Sequence, residues 1–335
     1  MRVDILYLCL ALAAGWRATA QDGNTGATPS AACIEFNQNI VTKLDRGQLT
    51  EAEASLSAAL NEKENNFEPS CLALTLHNMA NVLALSGRLA EGEVFVERST
   101  KLYAKLYPLE DPRRFRPLHL LWSVQFQRRE RGKARQTFQA MRALRLDKPH
   151  DRAMLHAAAA SELQADGRYE EAEREYLKAF AESKAVGRGE SGELAILLCG
   201  LGTSQFFQGR YPEAGTTLDS ALAVANSAKD AVPMDRIKIL SVRGALRARQ
   251  TKWQAAAEDF RSAISIADRD ARLDPAQLKI LLGNFEFVLR KARRGKEAGF
   301  IEARAAAIRD VPLTNAIVDV SDLSEKTNGG RNRKR

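Results

Sequence analysis

One short string returns along the chain at nearly constant spacing. Gly47-Gln48-Leu49-Thr50-Glu51-Ala52, Gly87-Arg88-Leu89-Ala90-Glu91-Gly92, Gly167-Arg168-Tyr169-Glu170-Glu171-Ala172 and Gly209-Arg210-Tyr211-Pro212-Glu213-Ala214 share one pattern. Lys252-Trp253-Gln254-Ala255-Ala256 continues it without the glycine, and weaker copies end at Ala134 and Ala298. The small residue closing each string falls at 52, 92, 134, 172, 214, 256 and 298, so the steps are 40, 42, 38, 42, 42 and 42. A period in this range restricts the fold severely. Each unit is one supersecondary piece that cannot bury its apolar face alone, and stacked neighbours supply the core. The 335 residues therefore read as one array, not as the two globules that length alone would suggest.

Each unit reads as two amphipathic helices joined by the glycine string. Glycine permits the left-handed backbone that ends a first helix, and the arginine beside it is placed to meet free carbonyls. Pro212 lies just inside the following helix, where a missing N–H costs nothing. Four positions beyond the small closing residue stands a large apolar one on the same helical face: Leu56, Val96, Phe138, Tyr176, Leu218 and Phe260. Three further on, Ala59, Ala179, Ala221, Ala263 and Ala305 are small contacts. Prolines break the chain before first helices, at Pro69 and Pro112 and at Pro233 and Pro275. The expected units are 33–68, 69–112, 113–150, 151–190, 191–232, 233–274 and 275–309, with the Glu182–Gly192 stretch as the joint where the array divides.

The ends differ from this body. Met1–Ala20 has Arg2, an apolar stretch Ile5–Gly15 and a small-x-small site, Ala18-Thr19-Ala20, the make-up of a signal peptide. The expectation is an exported chain, periplasmic or extracellular, with a flexible mature N-terminus over 21–32. No later apolar run reaches the roughly 18 residues that a membrane helix needs. The formal charge is +8. Beyond 309 the repeat is lost: Ala316–Leu323 is an apolar-acidic patch suited to docking on the last unit, and 310–335 ends as a basic, mostly disordered tail. That tail suits peripheral contact with anionic envelope material. Nucleic acid is not an expected partner, because no aromatic residues interleave the cations for base stacking.

Few residues offer chemistry. Gly187–Gly192 matches GxGxxG, but the motif works only after a strand, and here it follows a helix in a loop position. Walker A, HExxH and GxSxG are absent. His77, His119, His150 and His156 lack ligand-like spacing and read as groove or packing residues, with no metal and no cofactor expected. Once the leader is set aside, Cys33, Cys71 and Cys199 remain. Cys33 and Cys71 begin adjacent units, so one disulfide is open to them in an oxidising compartment; the plainer reading is two buried small side chains.

Small residue, glycine turn, Tyr, Ala, large apolar and Ala at these offsets resemble the tetratricopeptide repeat (TPR). The 42-residue spacing is similar to the longer-helix variety of kinesin light chains, as is Leu76-His77-Asn78-Met79-Ala80-Asn81. The resemblance covers about 33–309 and is strongest in units four to six. Arg131 and Gly295 stand at the Tyr position, and Glu302 replaces the large apolar residue, so the last unit suits a polar cap. The resemblance implies an all-α fold, a right-handed α-α superhelix of about seven helix pairs, whose first helices line a concave groove. Carried over by offset, the groove residues are Asn78, Asn81, His119, Phe126, Phe206, Phe207, Lys238, Arg249, Phe287, Arg290 and Lys291. Phe206 and Phe207 cannot both face one way, so one of them belongs to the core. Aromatic and cationic side chains suit an acidic or extended peptide, with asparagine amides gripping its backbone. The implied function is an exported, non-catalytic scaffold holding a protein or peptide. The alternative is a structural or self-associating component of an envelope or secretion complex.

Overall fold

The computed structural model describes residues 29–63, 66–185, 191–228, 231–269 and 275–308. The expected signal peptide at 1–20, most of the expected flexible N-terminus at 21–28, the first four residues of the GxGxxG match at 187–190 and the expected tail at 310–335 lie outside the described residues. The described residues form helices in seven consecutive pairs and no strand. These are α1 (Ala31–Asp45) with α2 (Leu49–Lys63), α3 (Pro69–Leu85) with α4 (Leu89–Leu106), and α5 (Phe115–Gln127) with α6 (Arg131–Arg142). Then come α7 (Pro149–Ala165) with α8 (Tyr169–Ala185), and α9 (Gly192–Phe207) with α10 (Tyr211–Ser227). The last are α11 (Pro233–Arg249) with α12 (Trp253–Ala267), and α13 (Pro275–Lys291) with α14 (Gly295–Ala306). The fold is all-α and built from helical repeats.

The turn within each pair has one construction. Gly47, Gly87, Gly167 and Gly209 take φ of 73°, 78°, 74° and 80°. At the same place in pairs three, six and seven, Arg129, Thr251 and Arg293 take φ of 60°, 59° and 61°. In each turn this residue and its successor donate their N–H groups back to the last turn of the first helix. Gly87 N donates to the Ala84 carbonyl at 3.1 Å and Arg88 N to the Leu83 carbonyl at 2.9 Å; Thr251 N donates to Ala248 and Lys252 N to Leu-adjacent Arg247, both at 2.9 Å. The expected role of the turn arginine is corrected here. Its backbone meets the carbonyl, while its side chain turns to acids: Arg88 binds Glu91 and, in the preceding pair, Glu53, both at 2.6 Å. Arg210 repeats this with Glu213 at 2.7 Å and with Glu173.

The closing small residues are where second helices approach their neighbours. Ala52, Ala134, Ala172, Ala214, Ala256 and Ala298 are all 0% exposed, and Gly92 is buried. Four residues later, Leu56, Val96, Phe138, Tyr176, Leu218 and Phe260 are buried as well. Each such side chain contributes about 1.5–3 kcal/mol through burial. Two of the expected small contacts, Ala59 and Ala305, remain partly exposed. At that offset in pair two stands Ser99, which donates to the Ala73 carbonyl at 2.7 Å.

Contacts divide the described chain into two units. One contains 29–158 and 181–185, the other 159–180 and 191–308. The division falls inside α7, between Ala158 and Ala159, and near the end of α8, so it is not confined to the Glu182–Gly192 joint. In the N-terminal unit each helix from α1 to α6 packs on its sequence neighbour, and α1 and α3 also touch. Its core runs through Ile40, Leu56, Leu76 and Leu83 to Val96, Leu120 and Val124. In the C-terminal unit the order is α9 to α14, with first helices α9 and α11 in contact. Leu218, Ile237, Phe260, Leu281 and Val288 lie in one continuous core there.

Cys33 and Cys71 are joined in a disulfide, so the sulfurs are bridged and not simply buried side by side. Cys199 is a buried free thiol.

Candidate functional site

The groove residues expected from their offsets do not share one surface. Asn78, His119, Phe126 and Phe206 are 2%, 1%, 7% and 4% exposed, and all four belong to the interior. Asn78 Nδ2 donates to Asn37 Oδ1 at 2.8 Å, which ties α3 to α1, and Asn37 Nδ2 donates to the Cys33 carbonyl at 3.0 Å within α1. The His119 ring lies 5.6 Å from Phe115 and 5.7 Å from Trp122. Phe126 packs 5.0 Å from Trp122, with the Arg131 guanidinium 4.8 Å from its ring centre. The expectation fails at these four for one reason. The inward face of a first helix is shared between a groove and the packing of neighbouring pairs, and offset alone does not say which side wins.

The other residues reach the surface. Asn81, Phe207, Lys238, Arg249 and Phe287 are half-buried, while Arg290 and Lys291 are exposed. Of the adjacent phenylalanines, Phe206 is the core residue and Phe207 the outward one. Arg290 is engaged by Glu286 and, at 2.8 Å, by Glu302, which holds it on its own helix pair.

In the C-terminal unit the surface residues form a row of three rungs. Each rung joins the aromatic residue that opens a second helix to the end of the next first helix. Tyr169 stacks on Phe207, with ring centres 5.0 Å apart and planes at 21°. Tyr211 accepts at its Oη from Arg249 Nε at 3.2 Å. Trp253 meets Phe287 edge-on at 6.4 Å, and the Lys291 Nζ lies 5.5 Å from the Phe287 ring centre. Tyr169, Tyr211 and Trp253 are site residues beyond those expected from their offsets. Their signal was present: they are spaced 42 apart, and each precedes Phe207, Arg249 or Lys291 by 38. Beside the row, Arg210 binds both Glu173 and Glu213.

The N-terminal unit holds a polar cluster instead. Arg116 Nε is 3.8 Å from Asp151 Oδ1, and Asp151 is 5% exposed. Burial first, and then Arg116, holds His77 down at about 4. Burial, reinforced by the fields of His150, Arg116 and His77, holds His119 at about 3. Both imidazoles are therefore neutral near pH 7. Among the described residues no group of three or more His, Cys, Asp or Glu side chains could hold a metal ion. The cluster is a packed polar seam with its cation already beside a carboxylate.

The comparisons agree with this construction. The tetratricopeptide-repeat family profile matches residues 151–227, which spans α7 to α10. Among solved structures, a Rap protein complexed with competence and sporulation factor has TM-score 0.60 and 16% identity, over 84% of this chain and 75% of that one. NprR in complex with its cognate peptide NprX has TM-score 0.60 and 13% identity, over 90% of this chain and 83% of that one. A tetratricopeptide repeat protein from Parabacteroides merdae has TM-score 0.50 and 17% identity, over 88% and 98%. At such identities the likeness concerns the fold. No curated protein matches the chain. The family match makes α7–α10 tetratricopeptide repeats, and the remaining helix pairs, closed by the same buried small residues, share that construction.

Proposed function

We propose that the protein is an exported, non-catalytic scaffold that binds a peptide or an extended protein segment along the first helices of its C-terminal unit. The row Tyr169–Phe207, Tyr211–Arg249 and Trp253–Phe287–Lys291 carries the reading. It sets flat apolar surface beside cations on successive repeats, a combination suited to an acidic peptide. Two of the structural neighbours named above are peptide or factor complexes, which supports a peptide as the kind of ligand. Export is supported by the make-up of Met1–Ala20 and agrees with a disulfide between Cys33 and Cys71, since such bonds persist in oxidising compartments.

The test is selection from a displayed peptide library on the chain starting at Gln21. The expected outcome is enrichment of acidic peptides that the double variant Phe207→Ala, Arg249→Glu no longer binds, at an unchanged melting temperature. Equal binding by the double variant would move the site elsewhere and defeat the proposal.

A further inference from the structure

The rungs recur with the helix pairs, and that recurrence constrains the ligand's backbone. α9 and α11 touch directly, and packed helices stand about 8–10 Å apart. The rungs on α9 and α11 therefore stand about 10 Å apart along one wall, and the rung on α13 follows in the order of the repeats. A polyproline II segment rises about 3.1 Å per residue with three residues per turn, so residues i, i+3 and i+6 share one face at intervals of about 9.3 Å. A β-strand covers similar length per residue but alternates faces, so residues three apart point opposite ways. Only the first conformation presents every third side chain to a single row.

We infer that the C-terminal unit takes an acidic polyproline II segment in which one apolar residue, best a proline, and two carboxylates follow each other at three-residue intervals. The inference rests on the groove reading above and adds the ligand's conformation and register to it. The stacked Tyr169–Phe207 pair offers a flat apolar seat for a pyrrolidine ring. Arg249 is oriented by its hydrogen bond to Tyr211, and a guanidinium fork matches a carboxylate. Lys291 on the third rung supplies the second cation, and half-buried Lys238 adds charge on the first-helix face of α11. Arg210 offsets one of the two charges of Glu173 and Glu213, and Arg249, Lys238 and Lys291 outnumber the charge that remains.

The experiment measures fluorescence anisotropy of labelled peptides on the chain starting at Gln21. Three peptides of equal composition place proline, glutamate and glutamate at intervals of two, three and four residues, each made in both chain directions. The three-residue spacing is expected to bind at least about tenfold tighter than the others in one direction. Arg249→Glu should abolish that preference, and lysine at the peptide's middle acidic position should restore part of it, with the circular dichroism spectrum unchanged. Equal or tighter binding at the two-residue spacing overturns the inference in favour of a strand-like ligand and leaves the groove reading standing. Failure of all three peptides at millimolar concentration also overturns it; the groove reading then survives only if the double variant still loses the library-selected peptides.

Discussion

Three residues occupy backbone positions that glycine fills in the other four turns. Thr251 is the least suited of them, because a β-branched side chain at φ of 59° crowds its own carbonyl. The left-handed conformation costs an ordinary residue about 1–2 kcal/mol, while glycine gives back part of that through its freer unfolded chain. Thr251→Gly should therefore raise stability by about 1 kcal/mol in chemical denaturation, and a loss would contradict the account. The buried histidines act in the other direction. The unfolded chain takes up protons on them below about pH 6.5, whereas the folded chain holds His77 at about 4 and His119 at about 3. Their contribution is complete above pH 6.5 and is lost as pH falls towards 4 and then 3. His119→Phe keeps a ring against Phe115 and Trp122 and removes one proton site. Denaturation midpoints across that range should fall less steeply in the variant; an unchanged slope would mean that His119 does not carry the effect.

Between helices, the fit depends on glycines that meet large side chains. A Cβ on Gly200 would lie within 2.6 Å of Tyr176 Cε1. Tyr176 cannot withdraw, being 1% exposed with its Oη donating to Gln164 Oε1 at 3.1 Å. Overpacking costs about 1–3 kcal/mol against a helix-propensity gain of about 1 kcal/mol, so Gly200→Ala should lower the melting temperature. Gly283 in α13 is exposed, and a Cβ there would meet nothing within 4 Å. Gly283→Ala should raise the melting temperature by the propensity term alone. Opposite signs from one substitution type are the check. At this scale the sequence was clear about second helices, since their small and large residues recur at fixed steps and all pack one way. It was less clear about first helices. Phe206 and Phe207 are adjacent and chemically identical, and only the packing of Phe206 in the α9–α13 core shows which one is left for a ligand.

Across the chain, stability should be additive over neighbouring pairs, because each pair meets mainly those beside it. The Cys33–Cys71 bond closes a separation of 38 residues, for which loop closure predicts about 4 kcal/mol. Trp122 reports on the N-terminal unit and Trp253 on the C-terminal one. Reduction should lower the denaturant midpoint followed by Trp122 in a Trp253→Phe background. It should leave the midpoint followed by Trp253 in a Trp122→Phe background where it was. Equal shifts of both would show that the array unfolds as one.

The sequence by itself determined the helix pairs, their turns and the stacking of neighbours. All of these follow from local backbone demands and from apolar spacing that repeats about every 42 residues. It also carried the offsets on which the aromatic and cationic residues stand. The tertiary structure alone decided which of those residues reach solvent, that Arg290 is held by its own acids, and that Tyr169, Tyr211 and Trp253 complete the rungs. The reason is physical: a repeat fixes where a side chain starts along its helix, but its exposure depends on the size of the side chains that the next pair lays against it.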